Sequence, residues 1–518
     1  MQDGLAARQG RIRWPAVVAH PRLPRRPETM TAMSRRRFLA LSGAVAAAAV
    51  TGACGGGGGG GGASRSLTWW DHQNQLEQAK EAIFTKFAKA KGGVPVQYTY
   101  YNPQKMGQAL QLAKQSDQLP DVHSNAGLLL QSAALVDGGW AQPLDLSVEA
   151  AERLKGSLVD GVHVFDGKTY AFPIFSHQVY VTVNWFNTKL VEKAGLDPDA
   201  PPETYDEFRA AARAVQDKAG DNTYGWVWNI GMPDRMTAQV DYLAQAAGFE
   251  GGGEGYHEGR LYRTGEFAFH ADEYVDAIEF LVSLSKDKLV VPGANSWIDD
   301  VARARWTAGA SAYYFDGPWC PGVALKDTPD FGKSLGVGPI LRPNAGSPLA
   351  LYHRQQLGDY WLSPGAKNVE AANALLSDYF TTPEYSVQVA NTMSQPPRDI
   401  EVVEKSSAHP AYKKLIGWFR ESVFAAPEPI IGNPDVQKVE IEGKRVTPTL
   451  GDITQGALTG DITDVRGALK KLSDASSKER ERAVAAAKKK GAEVELDDYA
   501  FPNWKPGADY TKQMYAQR

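Results

Sequence analysis

Four tryptophans of this 518-residue chain stand beside side chains that can hydrogen-bond. Trp70 precedes Asp71 and His72, Trp228 precedes Asn229, Trp319 follows Asp316 and Gly317, and Trp361 follows Asp359 and Tyr360. An indole offers a flat apolar face, and a neighbouring carboxylate, amide or imidazole offers hydrogen bonds to whatever rests on it. A ring with apolar C–H faces and hydroxyls around its edge matches that pairing. Buried tryptophans are also ordinary core residues, so the elements that position each ring decide between the two readings. Covalent chemistry is less well supported. The chain holds no His-Glu-x-x-His zinc motif and no Gly-x-x-x-x-Gly-Lys-Ser/Thr phosphate loop. No motif singles out two acids that would flank a glycosidic bond at ~5 to 9.5 Å. Gly251-Gly252-Gly253-Glu254-Gly255 follows no strand-like run, which argues against a phosphate cradle.

The elements around these residues alternate. Leu67 to Trp70 reads as a core strand, and Leu76, Ala79, Ile83, Phe84, Phe87 and Ala90 recur at helical spacing before Gly92-Gly93. Val94 to Tyr101 reads as a second strand, Met106 to Leu119 as a helix, and Pro120-Asp121-Val122 as entry to a third strand. This β-α-β-α-β order predicts an α/β lobe with a mainly parallel sheet. Asp71 and His72 then end the first strand, and Asn125 follows the third, at the carboxyl edge where such sheets leave room for ligands. Asp166-Gly167 between strand-like runs predicts a tight hairpin. Thr204-Tyr205-Asp206-Glu207 has the form of a capping box, and Thr382-Pro383-Glu384 that of a capped helix start. Ser476-Ser477-Lys478-Glu479 predicts the start of a last helix, ended by Gly491. Trp226-Val227-Trp228 reads as a strand whose parity does not fix which ring faces a cleft.

The N-terminus reads as an export signal. Ser34-Arg35-Arg36-Arg37-Phe38-Leu39 leads through an alanine-rich run to Thr51-Gly52-Ala53-Cys54, giving a twin-arginine signal over residues 1–53 with an over-extended start. The apolar run falls short of the ~20 residues a membrane crossing needs. The context of Cys54 resembles the lipobox of bacterial lipoproteins, apart from Thr51 where an aliphatic residue is usual. Residues 54–65, with eight consecutive glycines, form a tether between lipid and fold. Cys320 then has no partner and reads as a buried small hydrophobe. Without residues 1–53, 47 basic side chains face 58 acidic ones, a balance unsuited to nucleic acid or to an anionic lipid surface.

In this order the pieces resemble the family 1 extracellular solute-binding proteins, the sugar-binding subunits of ATP-driven importers, which include maltose-binding protein. The matching runs are Asp166-Gly167-Lys168-Thr169-Tyr170-Ala171-Phe172-Pro173, Trp185-Phe186-Asn187, Pro202-Glu203-Thr204-Tyr205-Asp206-Glu207-Phe208, Trp306-Thr307-Ala308-Gly309-Ala310, Asp316-Gly317-Pro318-Trp319, Gly336-Val337-Gly338-Pro339 and Asn368-Val369-Glu370-Ala371-Ala372. The resemblance spans roughly residues 66 to 400. It implies a two-lobed periplasmic-binding-protein type II fold, each lobe a mainly parallel sheet flanked by helices, with residues 66–175 and 336–385 in lobe 1 and residues 176–335 and 386–518 in lobe 2. The implied lobe crossings lie near Pro173–Gln178, Ser334–Pro339 and Tyr385–Gln395. It also implies that Trp319 stands where the family stacks an aromatic on the sugar, and that His177 lies at a change of lobe. The expected solute contacts are therefore Trp70, Asp71, His72, Asn125, His177, Trp228, Asp316, Trp319 and Trp361, with no catalytic residue, metal or cofactor. The implied protein is a monomer, lipid-anchored through Cys54 on the outer face of the cell membrane, that captures carbohydrate for an ABC permease. Two rivals remain: a ferric ion or siderophore binder using Tyr313-Tyr314, and a secreted glycoside-acting enzyme.

Overall fold

The computed structural model describes residues 66–518 except 129, 254–257, 347 and 357; the export signal, Cys54 and the glycine tether lie outside the described residues. The chain opens with β1 (Leu67–Asp71), α1 (Glu77–Ala88), β2 (Val96–Tyr100), α2 (Pro103–Gln115) and β3 (Val122–His123). The short helices α3 (Ser132–Asp137) and α4 (Val148–Arg153) lead to the hairpin β4 (Val164–Phe165) and β5 (Lys168–Thr169), then to β6 (Ala171–Phe172). Asp166 at φ 49° and Gly167 at φ 70° occupy the hairpin turn, both positive as a two-residue type I′ turn demands.

A second set of elements follows: β7 (Val183–Asn187), α5 (Thr188–Lys193), α6 (Tyr205–Lys218), β8 (Tyr224–Val227), α7 (Pro233–Ala246), α8 (Asp272–Lys286), α9 (Asp299–Thr307), β9 (Ser311–Asp316), α10 (Cys320–Asp327) and β10 (Leu335–Gly338). Thr204 and Glu207 form the reciprocal capping box of α6. The chain continues through β11 (Leu351–His353), β12 (Tyr360–Leu362), α11 (Val369–Leu375), α12 (Pro383–Asn391), α13 (Pro410–Ser422), β13 (Val423–Ala425), α14 (Val436–Glu442), α15 (Leu450–Thr459) and α16 (Val465–Lys489).

Two sheets organise the molecule. The first has the order β2-β1-β3-β12-β6 and the second β10-β7-β9-β8. In the first, β12 alone runs against its neighbours; in the second, β7 does. Each lobe is thus a mainly parallel sheet with one reversed strand. Every residue of β7 and β9 is buried, as expected of strands covered on both faces. In the first lobe Trp69 is fully buried and packs its ring against Phe84, Tyr360 and Phe380 at centroid distances of 5.3, 4.7 and 5.3 Å.

Two expectations need correction. Strand β10 pairs with β7, so residues 335–338 belong to the second lobe, and the chain stays with it past Gly338, with Ile340 and Leu341 in its core. The small parallel pair β11–β13 then intervenes before β12 joins the first sheet. The long helix near the C-terminus starts at Val465, where the Asp464 carboxylate accepts a bond from the Gly467 N–H at 2.9 Å, and not at Ser476. Ser477 lies inside that helix with its hydroxyl turned back onto the Ser473 carbonyl at 3.0 Å, which silences it as a cap. Gly491, at φ 88°, follows the helix end.

The chain passes between the lobes three times: between β10 and β12, over residues 173–182, and after α12, the last two of these meeting. There Ser176 donates to the Pro396 carbonyl at 3.0 Å and Arg398 to the Ile174 carbonyl at 2.8 Å, so the two connectors run side by side. Helices α14 and α16 meet α3 of the first lobe, with Ala133 among Val436, Val439, Val484 and Ala487. Trp69→Ala is expected to destabilise the protein by about 3–5 kcal/mol, because it empties the meeting point of three aromatic rings. Urea unfolding of the two proteins measures the difference.

Candidate functional site

At the carboxyl edge of the first sheet, the polar end of β1 serves the fold. Asp71 is fully buried. Its carboxylate accepts from the Lys80 ammonium, from the Tyr360 hydroxyl at 3.0 Å, and from the backbone N–H groups of His72 and Gln73 at 2.6 and 3.0 Å. Burial pushes this carboxyl up, but Lys80 and His72 outweigh it and hold it below the ordinary aspartate range. With its oxygens spent and no exposure, Asp71 is not placed to contact a solute. The groups that remain available lie beside it. His72 keeps a quarter of its side chain exposed and bonds the Ser124 hydroxyl through Nδ1 at 2.8 Å. Trp70 is half-buried against Tyr101 at 4.9 Å, and Asn125 is half-buried next to Ser124. Tyr101 and Ser124 were not expected from sequence, since neither sits in a motif.

In the second lobe the corresponding edge is built around Asp316, the last residue of β9. Arg303, projecting from α9, grips one oxygen of Asp316 through Nε at 3.1 Å and Nη2 at 2.7 Å. The other oxygen accepts from the Trp319 indole N–H at 3.1 Å and from the Gly317 N–H at 2.8 Å. Trp319 folds back so tightly that a Cβ on Gly317 would stand 2.1 Å from its ring, which is why glycine precedes the proline here. The ring is half-buried, and the Arg235 guanidinium of α7 lies 4.6 Å from its centroid. Arg235 also approaches Asp299 at 3.6 Å and Asp316 at 3.9 Å, while its Nη1 makes no hydrogen bond. The hydroxyl of Tyr100, at the end of β2 in the first lobe, is pushed up by burial and then by the Asp300 carboxylate at the start of α9 in the second.

The remaining expected contacts separate into interior and hinge. Trp228 is fully buried, donates its N–H to the Gln239 side chain at 2.8 Å and, with Trp226, packs on Phe315. Trp361 is fully buried and donates to the Gly358 carbonyl at 3.1 Å. Neither ring has a face to offer, so both are core residues of their lobes. Asn229, beside Trp228, is fully buried with neither end of its amide bonded. His177 is half-buried on the first connector, and its imidazole is pushed down to about 4 by burial, then by His353, against Asp509. It is therefore neutral at physiological pH and can both donate and accept. Cys320 is free and buried. Tyr313 and Tyr314 project from opposite faces of β9, one onto Phe208 and the other onto Trp306. Gly332-Lys333-Ser334-Leu335-Gly336 has the spacing of a nucleophile elbow. It runs from a 3-10 turn into a strand, the reverse of an elbow's order, and buries Ser334.

Two α/β lobes joined by paired connectors, each with half-buried aromatic and polar groups at a strand edge, have the build of a two-lobed binding protein of the periplasmic type. Residues 82–415 match the bacterial extracellular solute-binding proteins, and the chain belongs to that family. Its members work outside the cytoplasm. No curated protein matches the chain. Among solved structures it is similar to an ABC transporter solute-binding protein from Thermotoga lettingae bound with α-D-tagatose, at 22% identity and TM-score 0.58, covering 80% of this chain and 100% of that one. It is also similar to a maltotriose-binding protein from Thermus thermophilus, at 19% identity and TM-score 0.56 over 80% of this chain and 99% of that one. A third is the cyclic α-maltosyl-1,6-maltose-binding protein of Arthrobacter globiformis, at 19% identity and TM-score 0.54 over 82% and 99%. These likenesses establish the shared two-lobed fold.

Replacing Lys80 by Met leaves the buried Asp71 carboxylate without its cation. Loss of one partner of a buried pair costs about 3–5 kcal/mol, and that loss is the expected outcome in chemical unfolding. Asp71 is held below its ordinary value of 3.8, so its contribution is present above that pH and disappears as pH falls through the folded-state value. The acid limb of the stability curve of K80M should accordingly be flatter than that of the wild type.

Proposed function

We propose that the protein is the substrate-binding subunit of an ABC importer, capturing a carbohydrate between its lobes and delivering it to a membrane permease. What supports this reading is the half-buried Trp319 ring just after β9, oriented by Asp316, together with Trp70, Tyr101, His72 and Asn125 at the carboxyl edge of the first sheet. An indole for the apolar face of a sugar and a rim of imidazole, hydroxyl and amide for its alcohols is the chemistry a saccharide needs. The relatives named above, whose ligands are tagatose, maltotriose and a cyclic maltosyl-maltose, support the same class. Arg235, whose Nη1 is unspent beside the Trp319 ring, is the further donor we assign to the second lobe.

In this reading the lobes rotate about the connectors at residues 173–182 and 391–400, and solute stabilises the closed form by touching both edges. The closed form docks on a permease whose separate ATPase supplies the energy. The protein acts as a monomer without catalysis. The ferric reading is weaker because Tyr313 and Tyr314 diverge, and the enzyme reading because Ser334 is buried in the wrong local order. Export by the twin-arginine route and lipidation at Cys54 complete the proposal, and they rest on the sequence of residues 34–54. A Cys54→Ser variant is expected to move from the membrane fraction to the soluble extracytoplasmic fraction; retention on the membrane would remove the lipid anchor.

A saccharide that binds only the folded protein raises its melting temperature, by an amount equivalent to about 2.7 kcal/mol at a hundredfold excess over Kd. Thermal-shift screening against a saccharide panel should therefore give at least one clear hit. Trp319→Ala is expected to weaken that hit by about tenfold or more while leaving the unliganded melting temperature within a few degrees. Unchanged affinity would make Trp319 a core residue.

A further inference from the structure

A pocket of about 300 Å³ opens beside the hinge, lined by Arg153, Thr381, Pro383, Ser386, Arg398 and Asp399. Arg153 ends α4, Thr381 precedes α12, Pro383 and Ser386 lie in the first turn of α12, and Arg398 belongs to the connector that follows it. Tyr385 and Val389 of α12 pack in the first-lobe core, whereas Ile400 packs in that of the second. The pocket thus stands where the chain changes lobe. Its volume matches the smallest of ordinary ligand sites, at about 300 Å³.

The charge of this pocket runs against that of the molecule. Acids outnumber bases by 58 to 47 beyond residue 53, yet two guanidinium groups and a single carboxylate line the pocket. Arg398 is half-buried, and its two Nη atoms donate to the carbonyls of Arg153 at 2.7 Å and of Thr381 at 3.4 Å. Carbonyl oxygens hold the group in place without neutralising it. Among the described residues Arg398 forms no ion pair, and Asp399 acts on it only from farther off. Burial pushes the guanidinium down against the pull of that carboxylate, as expected of a cation short of compensation. Arg153 anchors on the same threonine, its Nη1 donating to the Thr381 hydroxyl at 3.2 Å. Its Nη2 pairs with Glu149 at 2.6 Å, but that acid is 76% exposed, and surface pairs of this kind are worth little.

Two guanidiniums anchored on one residue suit a small oxyanion, because the planar fork of arginine meets carboxylate and phosphate oxygens in pairs. Each guanidinium carries five N–H donors, and the protein uses two on each. The first turn of α12, present in the lining through Pro383 and Ser386, adds the positive end of a helix dipole. A tetrahedral anion has acceptors enough for both arginines and the helix end at once; a carboxylate has fewer.

We propose that this pocket binds a small oxyanion of the phosphate class, which bridges Arg153 and Arg398 and ties the connector after α12 to the first lobe. The tie reaches the other connector as well, since the Arg398 backbone N–H donates to the Ile174 carbonyl at 2.8 Å. Isothermal titration of the protein with inorganic phosphate tests the proposal, with sulfate, acetate and glycerol 3-phosphate as comparisons. Phosphate and sulfate should bind at one site, and acetate about tenfold more weakly. Tighter binding of glycerol 3-phosphate than of phosphate identifies the ligand as a phosphate ester, and the reverse order as the free ion; either order supports the site. Arg153→Gln should weaken phosphate by about tenfold or more, and Arg398→Gln should weaken it further. Bound phosphate should also slow hydrogen exchange over residues 391–400. The Arg153 side chain lies outside the core, one-third exposed, so its variant decides alone should Arg398→Gln fail to fold. No binding of phosphate or sulfate, acetate as tight as phosphate, phosphate affinity unchanged in Arg153→Gln, or exchange indifferent to bound phosphate would overturn the proposal.

Discussion

Each lobe ends an inner strand in a carboxylate that is consumed by a cation of the same lobe. Asp71 closes β1 on Lys80, and Asp316 closes β9 on Arg303. An unpaired buried carboxylate would be costly and would neutralise itself, so each acid fixes the helix that brings its cation and is unavailable to anything outside. What the pairing leaves over is geometry. Asp71 spends further acceptor capacity on the backbone of His72 and Gln73, which fixes the course of the loop that presents the His72 ring. Asp316 spends its second oxygen on the Trp319 indole. His72 and Trp319, which keep part of their surface exposed, are thus oriented by buried charges.

The same arrangement explains why the lobes can be rigid while the connection between them is slight. Trp69 in one lobe and the Trp226–Trp228–Phe315 group in the other are fully enclosed aromatic centres, and a well-packed core has discrete arrangements and does not deform continuously. Between the sheets the chain runs as paired connectors held by a few backbone bonds, those of Ser176 and Arg398 among them. The proposed closure would use these connectors, since motion concentrates where packing is thin. The C-terminal helices add a restraint. Helices α14 and α16 meet α3 of the first lobe through Ala133, and Lys512 reaches Asp160 at 3.2 Å. Any opening must part these contacts as well. The ion pair is exposed and worth little, so the apolar contact resists opening more strongly than the charges do.

Local signals were legible in the sequence because their causes are local. The Asp166-Gly167 turn and the Thr204–Glu207 capping box each involve residues within four positions of one another, and both take the expected form. The local course of Asp316-Gly317-Pro318-Trp319 likewise has a local cause, a glycine forced by the indole above it. The roles of Asp71, Trp228 and Trp361 were not legible, because each depends on a partner placed by tertiary packing: Tyr360 closes on Asp71 from 289 positions away, and Gln239 reaches the Trp228 N–H from a helix that shows no sign of it in sequence. Strand parity could not separate Trp226 from Trp228, since residues two apart share a face; both went inside. Arg235 was not legible either: nothing in the residue pattern of α7, a largely buried helix, marks which of its side chains will stack on a ring 84 positions later in the chain.

Arg235 gives the second lobe a property that the carboxylate–indole unit alone lacks. Its guanidinium lies over Trp319 and near two carboxylates, Asp299 and Asp316, yet neither approach is a hydrogen bond and its Nη1 is unsatisfied. A side chain held by stacking and by loose ion pairing has a shallow minimum, in contrast to Arg303, which is locked by two short bonds to Asp316. Of the two arginines that surround one aspartate, Arg303 therefore supports the fold and Arg235 is free to move. The Asp299 carboxyl, pushed up by burial and by Asp316, lies between them and provides a second resting place once the ring is needed for something else. The cation can then leave the indole without losing its charge compensation, so uncovering the ring costs little more than the cation–π contact itself.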